Sequence, residues 1–411
     1  PLERSLQEIE YVSKKSPSRH WVFSDANFGI LPRDLDIAEK IKEVSQKYGK
    51  LKWLQVWWAK NSSKHTLQIS KIFGDLVDPL AAVQTLDKTV LKIIKRDNIN
   101  INSMTDLLEY WNKENIKVST DVLVGLPGES LESHLQTLRK SLEFGFSEIS
   151  TGNITLLPGS EMESEQTRET FGLKTKFRLI SGCYGMYGGT PIFDFEESVR
   201  SSNDIKEEEM HYLRVLHFFI RVFWNLAIGK TLLQWIQMEY GKNPLDVLID
   251  MIKPGTSPEL EKFVTEFDIE ARSEWFDTPN ELIKHYTENF DQFIAEGYLK
   301  LNLKHLAKIF LDKKLTKFLI DALVNQYPSN ISKQLGKFCY DRIVFLDSPI
   351  SKKSEYSEDG INALKKIYPD MNFESNICCF EQKEGFKETI DYELKKFEFD
   401  KDPLRALTLT L

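Results

Sequence analysis

Three short runs end in residues that could grip a small polar ligand. Lys117–Glu129 reads KVSTDVLVGLPGE, Asn153–Met162 reads NITLLPGSEM, and Ser24–Gly29 reads SDANFG. In each, a β-rich run stops at Gly, Pro, Asp or Glu and a helical pattern follows. Beside Ser24 and Asn27, Asp25 offers a carboxylate acceptor for an ammonium group, a charge-assisted contact worth ~1.5–3 kcal/mol. The plainer role for Asp25 or Asn27 is to cap a loop. Gly125 permits the positive φ of a tight turn and leaves room for a flat ring. Pro127 fixes that turn, Gly128 continues it, and Glu129 sits at a helix start, where its charge suits the dipole. Asp121 precedes them on the strand. Ala82–Arg96, AVQTLDKTVLKIIKR, adds Gln84 and Thr85 at a strand end, with Lys95 and Arg96 behind. A guanidinium matches a carboxylate bidentately, although these basic residues also fit an ordinary solvated helix face.

The elements that would carry these residues alternate. Strand His20–Ser24 leads to a helix over Pro32–Tyr48, and strand Lys52–Trp57 to one near Lys64–Phe73. Strand Leu80–Gln84 runs into Asp87–Lys95, with Asp87 as N-cap. A helix over Ser103–Glu114 returns the chain to strand Lys117–Val124, and Ser130 caps Leu131–Phe144, with SLES as a near capping box. The last strand of the series, Glu148–Leu156, precedes a helix over Met162–Phe171. Such alternation specifies parallel strands with right-handed crossovers, whose C-terminal ends converge on a ligand. Thr190–Asp204 reads as a linker, and four glycines between Gly182 and Gly189 as a flexible connector. Helical periodicity dominates Ile205–Ser332. The remainder mixes strands Asp341–Phe345 and Ile377–Glu381 with a helix over Ile361–Tyr368.

As a set, SDANFG, the Ala82–Arg96 run, VSTDVLVGLPGE and NITLLPGS resemble the radical S-adenosylmethionine (radical SAM) superfamily, nearest the branch that often carries an upstream cobalamin-binding domain. FGLKTKFRLISGCYGMYGG and FDFEESV resemble the end of that branch's core. The resemblance implies an α/β fold: a partial (β/α) barrel with five of six units present, followed by a helical region and a small α/β C-terminal part. It divides the chain into a barrel at 1–190, a linker at 191–204, a helical domain at 205–332 and a C-terminal region at 333–411. It also implies contacts to S-adenosylmethionine: Asp25 with the methionine ammonium, Gln84 or Thr85 with the ribose, Arg96 with the carboxylate. Asp121 and Gly125–Glu129 would flank adenine and ribose, with Asn153 and Leu156 on the last strand. The family binds a [4Fe–4S] cluster through CxxxCxxC and cleaves S-adenosylmethionine to a 5′-deoxyadenosyl radical. That motif is absent from these 411 residues.

The expectation is therefore the C-terminal portion of a radical SAM enzyme, inactive alone, whose cluster loop precedes Pro1 or lies on a separate chain. An upstream cobalamin domain and a small-molecule or peptide substrate are left open, and no catalytic or metal-ligating residue stands out. Two other readings stand beside it. One is a cysteine-free barrel binding a nucleoside-type ligand or a protein without redox chemistry. The other is a hydrolase using Asp25, Asp121 and Glu129. A net charge of −8 argues against a nucleic-acid surface. The four cysteines, Cys183, Cys339, Cys378 and Cys379, are too few and irregular for a secreted disulfide framework, which points to the cytoplasm. Pro1–Lys14 is too polar for a signal peptide. Leu213–Ile228 is too short and too interrupted by Arg214, His217, Arg221 and Asn225 to span a bilayer.

Overall fold

A computed structural model describes residues 1–25, 27–58, 63–77, 79–96, 105, 108–109, 111, 113, 117–296, 300–345, 348–349, 351–369, 371, 373 and 375–381. It shows a mixed α/β chain in two compact units, Pro1–Gly152 and Asn153–Leu411.

The first unit follows the alternation expected. Strand β1 (His20–Val22) pairs in parallel with β2 (Trp53–Gln55), Trp21 opposite Leu54. The pairing continues beyond the strand ends, Phe28 N–H donating to Trp57 O at 2.9 Å. The helices Arg33–Tyr48 and Ser63–Phe73 bury one face against this sheet, around Phe28, Ala38, Ile41, Leu54, Ile69 and Phe73. Leu80 and Gln84 bridge in parallel to β3 (Ser119–Val124), which lies beside β4 (Glu148–Asn153). Helix Leu131–Glu143 connects these two strands, and Ser130 and Ser133 exchange the reciprocal bonds of a capping box. Asp87 caps Lys88–Ile93 by accepting from Thr89 and Val90 N–H. Most of the helix expected over Ser103–Glu114 lies outside the described residues. Within it Trp111 is buried and its indole N–H donates to Ser70 Oγ at 3.0 Å.

Burial alternates on β2 and β3, while no residue of β1 is buried. On β3, Thr120, Val122 and Val124 are buried while Ser119, Asp121 and Leu123 are half-exposed. On β1, Val22 is 62% exposed, and at the end of β2 Trp57 is 44% exposed. Parallel sheets ordinarily have both faces covered; here Gln55 and Asp121 are only half-buried and Trp57 is exposed.

In the second unit three expectations are corrected. Thr190–Asp204 is not a linker: Thr190–Ser201 is β6, paired antiparallel along its length with β5 (Lys174–Tyr187). The glycine-rich stretch is likewise part of this hairpin, with Gly188 and Gly189, both at positive φ, forming its turn. The hairpin buries Leu179 and Phe193 against Leu282, Tyr286 and Phe290. Helices then dominate as expected. Pro244, Pro258 and Pro279 open three of them behind Asn243, Ser257 and Thr278 caps, a position where the missing N–H costs nothing. The helix Glu207–Ile220 ends in a π-helical turn, Arg221–Asn225. Asp341–Phe345 is not a strand; Asp341 ends the helix Asn330–Asp341. Its buried carboxylate holds Lys352 and Tyr356, next to the antiparallel pair β7 (Ser351–Glu355) and β8 (Ile377–Glu381).

Candidate functional site

The turns that leave the parallel strands share one device. After β1, Gly29 at φ 99° donates its N–H to the Asp34 carboxylate at 2.9 Å, and Leu31 N–H donates to the same oxygen at 3.0 Å. After β3, Gly125 at φ 88° donates to Glu129 Oε2 at 3.0 Å. In the second unit Gly159 at φ 80° donates to Glu163 Oε2 at 2.6 Å. A carboxylate at or near the start of the next helix folds back onto a left-handed glycine, which fixes the turn. Gly, with no Cβ, is the residue that adopts such φ without strain.

Burial separates the candidate residues by role. Ser24, Asp25 and Asn27 are exposed, and the Asp25 carboxylate accepts Asn27 N–H at 2.9 Å. The second carboxylate oxygen of such an Asx turn remains available to a ligand. Asp34 is the opposite case: 3% exposed, it is spent on the loop. It escaped the sequence reading, although a carboxylate four or five residues after a strand-end glycine recurs three times and was visible.

Gln84 and Thr85 also part company. Thr85 is fully buried; its hydroxyl faces Thr137 Oγ1 at 3.4 Å and accepts Asp87 N–H at 3.2 Å. That placement gives it a packing role in the turn. Gln84 is half-buried with φ 56°. Its N–H donates to Asp121 O and its carbonyl accepts from Leu123 N–H, while Thr85 N–H closes a three-residue turn onto Val83 O at 2.7 Å. A non-glycine residue at positive φ in a turn of this size is strained, and such strain clusters at functional sites. Arg96 donates from Nη2 to Ala82 O at 3.1 Å, bracing the strand that carries Gln84; burial pulls its guanidinium below the usual range.

On β3, Asp121 stands on the half-exposed face. Pro127 is buried and Gly128, at φ 79°, packs so closely on Ile93 that a Cβ would lie 2.5 Å from its Cδ1. Glu129 is fully buried, its second oxygen 3.1 Å from Nδ1 of an equally buried His134. It therefore shapes the turn from beneath, with both carboxylate oxygens already engaged. His134 had no role in the sequence reading. Asn153 and Leu156 belong to the second unit; Leu156 is buried and its N–H donates to Glu197 O at 2.8 Å, so its side chain packs.

The cysteines do not fit a three-thiolate cluster. Cys339 is buried, its thiol pushed up by desolvation, and Cys183 is exposed. Cys378 and Cys379 are adjacent on β8, one buried and one exposed, since neighbouring strand residues point to opposite faces.

No family model matches the chain. It is similar to the cobalamin-dependent radical SAM methyltransferase TokK of Streptomyces tokunonensis, 32% identical over 226 residues, 53% of this chain and 33% of that protein. It is also similar to the 2-(S-pantetheinyl)-carbapenam-3-carboxylate methyltransferase of Streptantibioticus cattleyicolor, 32% identical over 213 residues, 50% of this chain and 31% of that protein. A solved structure of archaeal Methanocaldococcus infernus Elp3 with an N-terminal deletion superposes with a TM-score of 0.31 at 17% identity, over 41% of this chain and 45% of that one. That likeness is too slight to carry weight. The match thus spans about a third of either curated relative; both are methyltransferases, and the first is a cobalamin-dependent radical SAM enzyme.

Proposed function

We propose that this chain supplies the S-adenosylmethionine-binding wall of a radical SAM methyltransferase that also uses cobalamin. The observation that supports it is the accessibility, in the first unit, of Asp25, Gln84 and Asp121, carried by segments whose glycine turns are pinned by buried carboxylates. On this reading the two small parallel sheets are parts of one partial barrel. Asp25 receives the methionine ammonium, and Gln84 and Asp121 meet the ribose. The Gly125–Gly128 backbone flanks the adenine. The cysteines present do not fit an iron–sulfur cluster, and cobalamin is brought in by the named relative alone. These residues are therefore assigned ligand binding and positioning, with radical chemistry left to the assembled enzyme.

Calorimetric titration of the 411-residue protein with S-adenosylmethionine tests this. Saturable binding that Asp25→Ala weakens at least about tenfold, or about 1.4 kcal/mol, with an unchanged melting temperature, is the expected result. Absence of binding, or equal affinity in the variant, removes the assignment. Binding of adenosine and S-adenosylmethionine with the same affinity would favour the non-redox nucleoside module instead.

A further inference from the structure

A second candidate site lies within the second unit, on one face of the β5–β6 hairpin. Arg200 is 2% exposed. Its guanidinium lies 4.4 Å from the centre of the Trp275 ring, and Nη2 is 3.5 Å from both ring nitrogens of His211. Its Nε–H has no hydrogen-bond partner among the described residues. Arg178, on the same hairpin face, lies 4.6 Å from the same Trp275 ring.

The surrounding carboxylates are committed elsewhere. Glu196 accepts from Arg178 Nε at 2.9 Å. Glu207 is 2.9 Å from Lys176 and 3.7 Å from His211. Glu208 and Asp268 hold Arg272, each at 2.8 Å. Glu274 faces Arg178 at 3.7 Å and Arg214 at 3.9 Å. Arg200 makes no ion pair among the described residues, although it is the most deeply buried cation of the group. Removing a guanidinium from water without an anion costs several kcal/mol. The Trp275 face returns only part of that, ~2 kcal/mol for a desolvated cation–π contact. Buried N–H donors in native proteins nearly always have a partner.

We infer that Arg200, with Arg178 beside it, forms a binding site for a small oxyanion, the carboxylate or phosphate group of a ligand. The planar fork of Arg200 offers its Nε–H and one Nη–H to two oxygens of such a group. Arg178, with a quarter of its side chain exposed, provides the route from solvent. Nothing in this inference depends on S-adenosylmethionine binding to the first unit.

Melting curves of the 411-residue protein in sodium sulfate, phosphate or acetate, against chloride at equal ionic strength, test it. Sulfate and phosphate stabilise proteins generally, without saturation, so only the saturable part counts. A saturable rise in wild type that Arg200→Met abolishes supports the site. Should that variant fail to fold, Arg178→Gln serves in its place, with an expected loss of affinity of about tenfold. A response to acetate as strong as that to phosphate marks a carboxylate ligand; preference for phosphate and sulfate marks a phosphorylated one. No saturable rise in wild type, or one unchanged in both variants, makes Arg200 a packing element solvated by Trp275 and His211 and overturns the site.

Discussion

Glu129 and His134, five residues apart in the sequence, form a fully buried pair, Oε1 to Nδ1 3.1 Å. The other Glu129 oxygen holds Gly125 N–H, so His134 and the strand-end glycine are linked through one carboxylate. Glu129→Ala would leave the Gly125 N–H and the imidazole without that acceptor. The expected cost is about 2–4 kcal/mol, read from urea unfolding. His134→Leu should cost a similar amount, and His134→Asn, which can still donate near Nδ1, should restore part of it. Equal stability of all three would mean that the pair does not hold the turn.

Asp25 and Asp34 flank the same loop with opposite burial. Asp34 satisfies Gly29 and Leu31 N–H from a buried position, whereas Asp25 accepts Asn27 N–H at the surface. Asp34→Ala should therefore destabilise by about 2–3 kcal/mol, and Asp25→Ala by less than about 1 kcal/mol. Thermal or urea unfolding of the two variants separates them, and a reversed order would reassign which carboxylate builds the loop.

What could be read in advance follows from local periodicity. The βα turns were legible because strand, glycine and helix signals stand within a few residues of one another. The separate fates of Gln84 and Thr85 were not, because the positive φ at Gln84 breaks the two-residue alternation that assigns side chains to faces. The β5–β6 hairpin was hidden for a related reason. Gly182 and Gly185 interrupt its apolar alternation, and the register shifts between Leu179 and Tyr184, so a bulged strand looked like a loop. His134 was invisible because its partner is set by burial.

Gly128 offers a test of turn packing. Gly128→Ala would strain a φ of 79° and set a Cβ 2.5 Å from Ile93 Cδ1. A loss of about 2–3 kcal/mol is expected from the two effects together. Ile93→Val removes that Cδ1, so the double variant should recover the steric part and keep about 1 kcal/mol for the backbone. Strict additivity of the two losses in urea unfolding would mean that the contact does not limit the turn.

His305 should set the acid limit of the second unit. The ring is buried, with Phe218, Phe263 and Phe267 edge-on at 6.1, 5.9 and 5.0 Å. Burial, with Lys308 and Lys304 adding to it and Glu270 opposing, pulls its pKa down to about 4. The unfolded chain takes up a proton near pH 6.5, before the native state does. The native state is therefore at full advantage above that pH and loses it progressively as pH falls from 6.5 towards 4. His211 is shifted in the same direction by burial and by Arg200 and Arg272, and adds to the slope. Allowing for solvent screening, the His305 share is on the order of 1–2 kcal/mol. Urea midpoints measured at pH 7 and pH 4.5 should fall more in wild type than in His305→Leu, which has no proton to bind. Equal falls would place the acid sensitivity on other groups.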